Sequence, residues 1–288
     1  MDARMETLLR YCRCALIGAA LLAPAITAAQ IELDAGLEPT EQGAALVERM
    51  SQIVAAHPEF AALDVHVTVG AAALRQALKR EHGRPVIAAY LTSTDFHAIV
   101  EAAGHPRHVT AVFANPDPRD QFTLARAVLG EHALVGVFDT PAADSLLRPP
   151  IHEALRALRV RKGEDINSVL RQAGSLDAIL ALPDGVLNRD NIHHAVRTLY
   201  GRQVVLIGHS EMLTRVGSLA SVYVSSTNIA AALGDVLSHY AATKELVAPV
   251  FVDAVDVAVN ARLARSLNLT LPPTSTLVRA VREGRRRP

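Results

Sequence analysis

Residues 204–212, VVLIGHSEM, carry the most suggestive chemistry in the chain: an apolar run feeds a Gly-His-Ser turn, as a sheet does when it presents a serine nucleophile. Such a turn is strained and needs small residues two before and two after the serine. Gly208 meets the first demand and Met212 fails the second. An acid and then a histidine should follow. The sole downstream histidine is His239, with Asp235 four residues before it on the same predicted helix. Side chains at that spacing share one helical face, so separate loops cannot deliver both to Ser210. An exported serine hydrolase is therefore only a third reading.

His193 and His194 invite a metal. Adjacent helical positions point about 100° apart, whereas a helix offers a metal its i, i+4 pair. No metal site is expected. No GxGxxG or GxxxxGK[ST] run follows any apolar segment, so neither a dinucleotide nor a P-loop phosphate site is indicated, and no cofactor is expected. Asp184, in LPDGVLN, reads two ways. Pro-Asp-Gly is good turn chemistry; a strand-end carboxylate can equally face a cleft and accept hydrogen bonds from a ligand's ammonium or hydroxyl group.

The chain as a whole narrows the classes. Its 288 residues are 50% apolar and 20% charged with no net formal charge, the make-up of a globular protein without a polyanion partner, so no nucleic acid is expected. The first thirty residues are of another kind. Arg4, Arg10 and Arg13 lead into CALIGAALLAPAITAA, which ends at Thr27-Ala28-Ala29 before Gln30. That pattern predicts a secretory signal peptide over 1–29, cut near Ala29, and hence a periplasmic protein. The apolar run falls short of the roughly 20 residues that span a bilayer, and Pro24 interrupts it. Both cysteines, Cys12 and Cys14, lie inside the segment, so the exported chain would hold no disulfide and no thiol nucleophile.

Beyond the signal, EQGAALVERMSQIVAAHPEF repeats its apolar residues at helical spacing. Short β-branched runs then alternate with amphipathic helical ones. The runs are 64–70, 85–91, 108–114, 133–139, 177–183, 203–208 and 221–225; SLLRPPIHEALRAL reads as helix, with Pro149-Pro150 at its start. Apolar runs of this length with helices between them mean buried parallel strands, so the fold class is α/β, doubly wound. Ligands of such sheets sit outside the carboxyl ends of the strands. Those ends are small and polar here, and include Thr92, Ser93, Asp139, Asp184, Ser210 and Ser225.

An ordered set of stretches adds a family. DVHVTVGAAAL, DQFTLARAVLGEHALVGVF, LDAILALPDGVLNRDNI, VVLIGHSEMLTRVGSLASVYVSSTNIA and VDVAVNARLARSLNLTLP run from about 64 to 272. Together they resemble the periplasmic substrate-binding proteins of bacterial ABC transporters, the type with two Rossmann-like lobes, in its little-characterised orphan branch. The resemblance implies a first lobe of 30–131 plus about 224–248 and a second of 132–223 plus about 249–276 with the hinge. A basic tail, 277–288, would follow. It implies that Phe138, Asp139, Asp184, Ser210, Tyr223 and Ser225 stand at the mouth of the cleft. The implied function is non-enzymatic: a monomer binds a small ligand of unknown class between its lobes and meets an inner-membrane ABC permease or another envelope protein. The alternative is an orphan module of the same fold that acts through protein contacts in envelope signalling or uptake. IELDAG makes a poor, short strand, which points to a trimmed first lobe.

Overall fold

The computed structural model describes residues 32–35, 41–80, 83–147, 151–161 and 163–285. The signal segment 1–29, the Pro149-Pro150 pair and the last three residues lie outside them. The chain runs β1 (Glu32–Ala35), α1 (Glu41–Ala56), β2 (His66–Val69), α2 (Ala71–Arg80), β3 (Val86–Leu91), α3 (Ser93–Ala102), β4 (Val109–Phe113) and α4 (Pro118–Leu129). It continues with β5 (Val135–Asp139), α5 (Pro141–Leu146), α6 (Ile151–Ala154), β6 (Arg156–Arg159), α7 (Ile166–Leu170), β7 (Ala178–Leu180), α8 (Ile192–Tyr200), β8 (Val205–Gly208) and α9 (Glu211–Val216). Last come β9 (Ala220–Tyr223), α10 (Ser226–Thr243), β10 (Asp256–Val259), α11 (Ala261–Ser266) and α12 (Thr274–Gly284).

Two sheets result: a four-stranded one ordered β1-β2-β3-β4 and a six-stranded one ordered β10-β9-β8-β7-β5-β6. All seven runs read from the sequence are strands. Alternation sorts their side chains between two helix-covered faces. In the first sheet Val67, Val69, Ile87 and Val112 join the large core that runs through both lobes, while Val86, Ala88, Ala111 and Phe113 join a separate core with α2 and α3. In the second sheet Val137, Leu180 and Ile207 face that large core and Phe138, Ile179 and Leu206 face the third core.

One edge element is the short strand expected and two depart from the sequence reading. IELDAG forms the four-residue β1, paired in parallel with β2, in a sheet of four strands against six. Residues 156–159, expected to end a helix, form β6, parallel to β5 and buried only at Leu158. Gln172 holds this edge by bonding both the N–H and the C=O of Arg159. Strand β10 is antiparallel to β9 in an otherwise parallel sheet.

The chain passes between the sheets three times, after β4, after β9 and before β10. Helix α4, assigned to the first lobe by a boundary at 131, packs instead on β7, β8 and β9, and α10 returns to pack on α1 and the first sheet. Nor are residues 277–285, the described part of the expected basic tail, free of the fold. Leu277 and Val281, four apart and fully buried, seat α12 against α4 and β10. Arg285 then forks onto the fully buried Asp120, 2.6 Å from Nε to Oδ1, and reaches Asp253 at 2.7 Å and the Val252 carbonyl at 3.0 Å. Burial pushes the Asp120 carboxyl above its usual range, and the guanidinium pulls it back. The end of the chain thus fastens the third crossing to α4.

Candidate functional site

The strand ends of the first sheet are tied to one another. Strand β3 finishes in a bulge between Ala89 and Leu91, with Tyr90 at φ 58, a region disfavoured for a bulky side chain. The chain then turns into α3, and Thr92 caps it: its Oγ1 accepts from the Asp95 N–H at 3.0 Å and donates to Asp95 Oδ2 at 2.8 Å. Ser93 is fully buried, and both its N–H and its hydroxyl donate to Asn115 Oδ1, at 2.7 and 3.1 Å. Ser93 therefore links two strand ends, with both its donors used and its side chain out of reach of solvent. Thr94 Oγ1 is the exception here, buried without a partner.

Along the second sheet, β9, β8, β7 and β5 are parallel neighbours, so their carboxyl ends form one edge with about 4.8 Å between strands. It carries, in order, Tyr223 and Ser225, then His209 and Ser210, then Asp184, then Asp139. Ser225 caps α10 by accepting from the Asn228 N–H at 3.3 Å. Ser210 occupies the corresponding place before α9 but its side chain makes no capping bond. Asp139 is exposed and, like the Ser210 and Tyr223 hydroxyls, has no hydrogen-bond partner among the described residues. Burial, with Asp256 and Glu211 nearby, raises the Tyr223 phenol above its ordinary range.

Asp184 combines both readings of its turn. Oδ1 accepts from the Val186 N–H at 3.0 Å, as a turn aspartate should, while Oδ2 is buried with no partner. Burial pushes the carboxyl up to about 6. Beside it, His209 Nδ1 donates to the Ala181 carbonyl at 2.6 Å, and burial lowers its pKa, so the ring is neutral at pH 7 with Nε2 an acceptor. Gln121, from α4, donates to the Ala181 and Ile207 carbonyls at 3.1 Å each and leaves its own buried carbonyl oxygen unpaired.

Phe138 is not at the mouth. It is wholly buried in the third core with Leu158 and Ile179, because alternation in a sheet covered on both faces turns it away from the strand end. Ser210 makes no bond to a histidine or an acid, and Gly208 has a packing reason of its own: a Cβ there would lie 2.3 Å from Ser221 Oγ and 2.8 Å from Leu213 Cβ. Asp235 and His239 line a different cavity, beside Arg285 and Phe251. Among the described residues no group of three histidine, cysteine or acidic side chains could hold a metal ion, and no helix is long and apolar enough to cross a membrane.

Sequence reasoning missed a second feature between the lobes. A cavity of about 240 Å³ is lined by His97 and Phe113 of the first lobe, Leu146 and Leu147 after α5, and Asp117, Arg119 and Phe251 of the crossing segments. Phe96, Phe113 and Phe251 pack edge to face in sequence with centroids 5.6 and 4.9 Å apart, with His97 against the first two. Half of the six phenylalanines gather here. Of the eight residues singled out in the sequence, none lines this cavity. Their scarcity was the one available signal; their meeting depends on the crossing of 250–255 beside β4, through the Val112–Val250 bridge.

No protein-family model matches the chain, and no curated protein does. Solved structures do. A conserved domain protein from Vibrio cholerae O1 biovar El Tor is 17% identical with a TM-score of 0.53, over 82% of each chain. The ABC domain from Streptococcus pneumoniae in complex with L-Trp is 16% identical with a TM-score of 0.52, over 83% of this chain and 85% of that one. A ligand-free, open substrate-binding protein with adhesive properties from Clostridium difficile is 11% identical with a TM-score of 0.55, over 79% and 80%. The two mainly parallel sheets and the three crossings, with these likenesses, give the chain the two-lobed α/β fold of these three structures, a ligand-free substrate-binding protein among them.

Proposed function

We propose that the chain is an exported solute-binding protein of an ABC-type uptake system, which closes on a small ligand between its lobes and presents the closed form to an inner-membrane permease. The carrying observation is the row of unpaired polar groups along the second sheet's carboxyl edge: Asp139, the free oxygen of Asp184, and the hydroxyls of Ser210 and Tyr223. Open sheets bind ligands at that edge, and a buried acceptor without a donor carries a desolvation cost that a ligand's N–H or O–H relieves. Thr92 and Ser225 shape the rim as helix caps. The ligand is one bearing ammonium or hydroxyl groups, and the protein performs no chemistry on it. In this reading the lobes are β1–β4 with α1–α3 and α10, and β5–β10 with the remaining helices; the protein works as a periplasmic monomer, its signal removed near Ala29. The fold supports the reading, as does the tryptophan held by the pneumococcal structure of the same fold.

A thermal-shift screen of residues 30–288 against amino acids, sugars, polyamines and organic acids tests it. A ligand at 100 times its dissociation constant adds about 2.7 kcal/mol, or several degrees at roughly 2–4 °C per kcal/mol. A saturable hit is expected. Silence from a folded, cooperatively melting protein would overturn solute binding.

One observation favours a second reading. The inter-lobe cavity, at about 240 Å³, lies below the roughly 300–1,000 Å³ of ordinary ligand pockets. An orphan module acting through protein contacts in envelope signalling or uptake needs no such pocket, and it would recover a defined envelope partner in a pull-down while remaining silent in the screen.

A further inference from the structure

At the amino end of β8, away from the carboxyl edge of the second sheet, an apolar groove of about 640 Å³ opens between α8, the start of β8 and α11. Its floor is Leu199 and Leu206, which are buried, and its far wall is Leu263 and Leu267, which are only partly so. Gly217 lies in the floor at φ 138, where a Cβ would stand 2.6 Å from Val196 Cγ1. Tyr200 also lines it and is 47% exposed, a level exceeded among the large apolar side chains of the described residues only by Met212.

The charge around the groove has one sign. Arg197, in the last turn of α8, and Arg262, in the first turn of α11, stand in its lining, both exposed, and neither guanidinium has an ion-pair or hydrogen-bond partner among the described residues. Among the described residues no acidic one lines it, and none occurs in the sequence over 191–210 or 257–282, although acids and bases balance over the whole chain. A volume in the range of ligand pockets, apolar walls and two unpaired guanidinium groups in one lining select an occupant with an apolar body and an anionic head, since a guanidinium reads a carboxylate bidentately. We infer that this groove binds a single-chain anionic amphiphile, a fatty-acid-type carboxylate, with the chain along Leu199, Leu206, Leu263 and Leu267 and the head between Arg197 and Arg262. The inference is independent of the solute-binding reading, since it uses none of the residues of the cleft.

The test is displacement of cis-parinaric acid fluorescence from the whole exported chain by monomeric dodecanoate, with dodecanol as the uncharged counterpart. Dodecanoate is expected to bind saturably, below its micelle concentration, at least tenfold tighter than dodecanol. The Arg197→Glu, Arg262→Glu double variant should lose at least tenfold for dodecanoate and leave dodecanol unchanged, with an unaltered Tm because both residues are exposed. Equal affinities for acid and alcohol, or an undiminished affinity in the double variant, would overturn the inference. So would the absence of saturable binding, including the case in which the protein adheres to anionic phosphatidylglycerol vesicles but takes up no monomer. Should the double variant not fold, the acid-to-alcohol ratio on the parent decides alone.

Discussion

At the carboxyl end of the first sheet Thr92, Ser93, Asp95 and Asn115 bond to one another. At the same end of the second, Asp139, Asp184, Ser210 and Tyr223 keep at least one polar atom unpaired. The smaller sheet has four strands and ties two of its ends together through Ser93 and Asn115; the larger has six and, although Ser225 caps α10, leaves these four groups unsatisfied. An unpaired buried acceptor lowers stability, whereas a paired one fixes geometry. The two lobes therefore divide rigidity and availability between them, and substitutions should separate the two properties.

The largest effect belongs to the joint that both lobes share. Removing the guanidinium in Arg285→Met leaves the fully buried Asp120 without its ion-pair partner. Breaking a buried pair from one side costs about 3–5 kcal/mol. Urea denaturation should show that loss, and a second change, Asp120→Asn, should restore part of it. A midpoint unmoved by Arg285→Met would mean that the third crossing is held without the clasp.

Asp184 should act with the opposite sign. Its folded pKa, about 6, lies above the roughly 4 of an unfolded aspartate. The unfolded chain therefore releases its proton first, and stability falls as pH rises from about 4 to about 6, then levels off. The penalty at neutral pH is up to about 3 kcal/mol at 1.36 kcal/mol per unit. Asp184→Asn keeps the acceptor for Val186 and should be flat through that window and more stable at pH 7. A cationic ligand should bind the parent more tightly as pH passes 6 and the variant with no such rise. His209, whose pKa burial lowers, opposes this at the acid end: its contribution is whole above about 6.5 and is lost as pH falls toward the lower folded value.

In the first lobe, Asn115→Ala orphans the buried N–H and hydroxyl of Ser93. About 1–3 kcal/mol of stability should go, with little change in ligand affinity beyond what local unfolding brings.

How far the sequence foretold this contrast depended on what each residue answers to. Strands buried on both faces announce themselves by continuous apolar runs, and β2 to β5 and β7 to β9 did so. The edge strands β6 and β10 bury one residue each, Leu158 and Val257, so they carry almost no pattern. The strand ends were legible as positions but not as orientations. Nothing local distinguishes Phe138, turned into a core, from Asp139 beside it, exposed; nor does it tell that Ser93 would be taken up by Asn115, 22 residues on. Arg285 read as one of a run of basic residues because its partner lies 165 residues earlier. The phenylalanine cluster is of the same kind, since Phe113 and Phe251 meet only through the crossing.

The smallest expected change is the sharpest test of the comparison. Ser210 stands where a helix cap belongs and does not cap, so its hydroxyl contributes nothing visible to the fold. Ser210→Ala should then alter stability by no more than about 0.5 kcal/mol. At a true cap such as Thr92 the same truncation should cost about 1 kcal/mol. If the second lobe's edge is the ligand-facing one, the order reverses for binding: once a ligand is known, Ser210→Ala should weaken it by about tenfold, the loss of one hydrogen bond of roughly 1.4 kcal/mol. Thr92→Ala should change affinity less than stability. Calorimetry on the two variants gives both quantities, and equal ratios of lost binding to lost stability would remove the division of labour between the lobes.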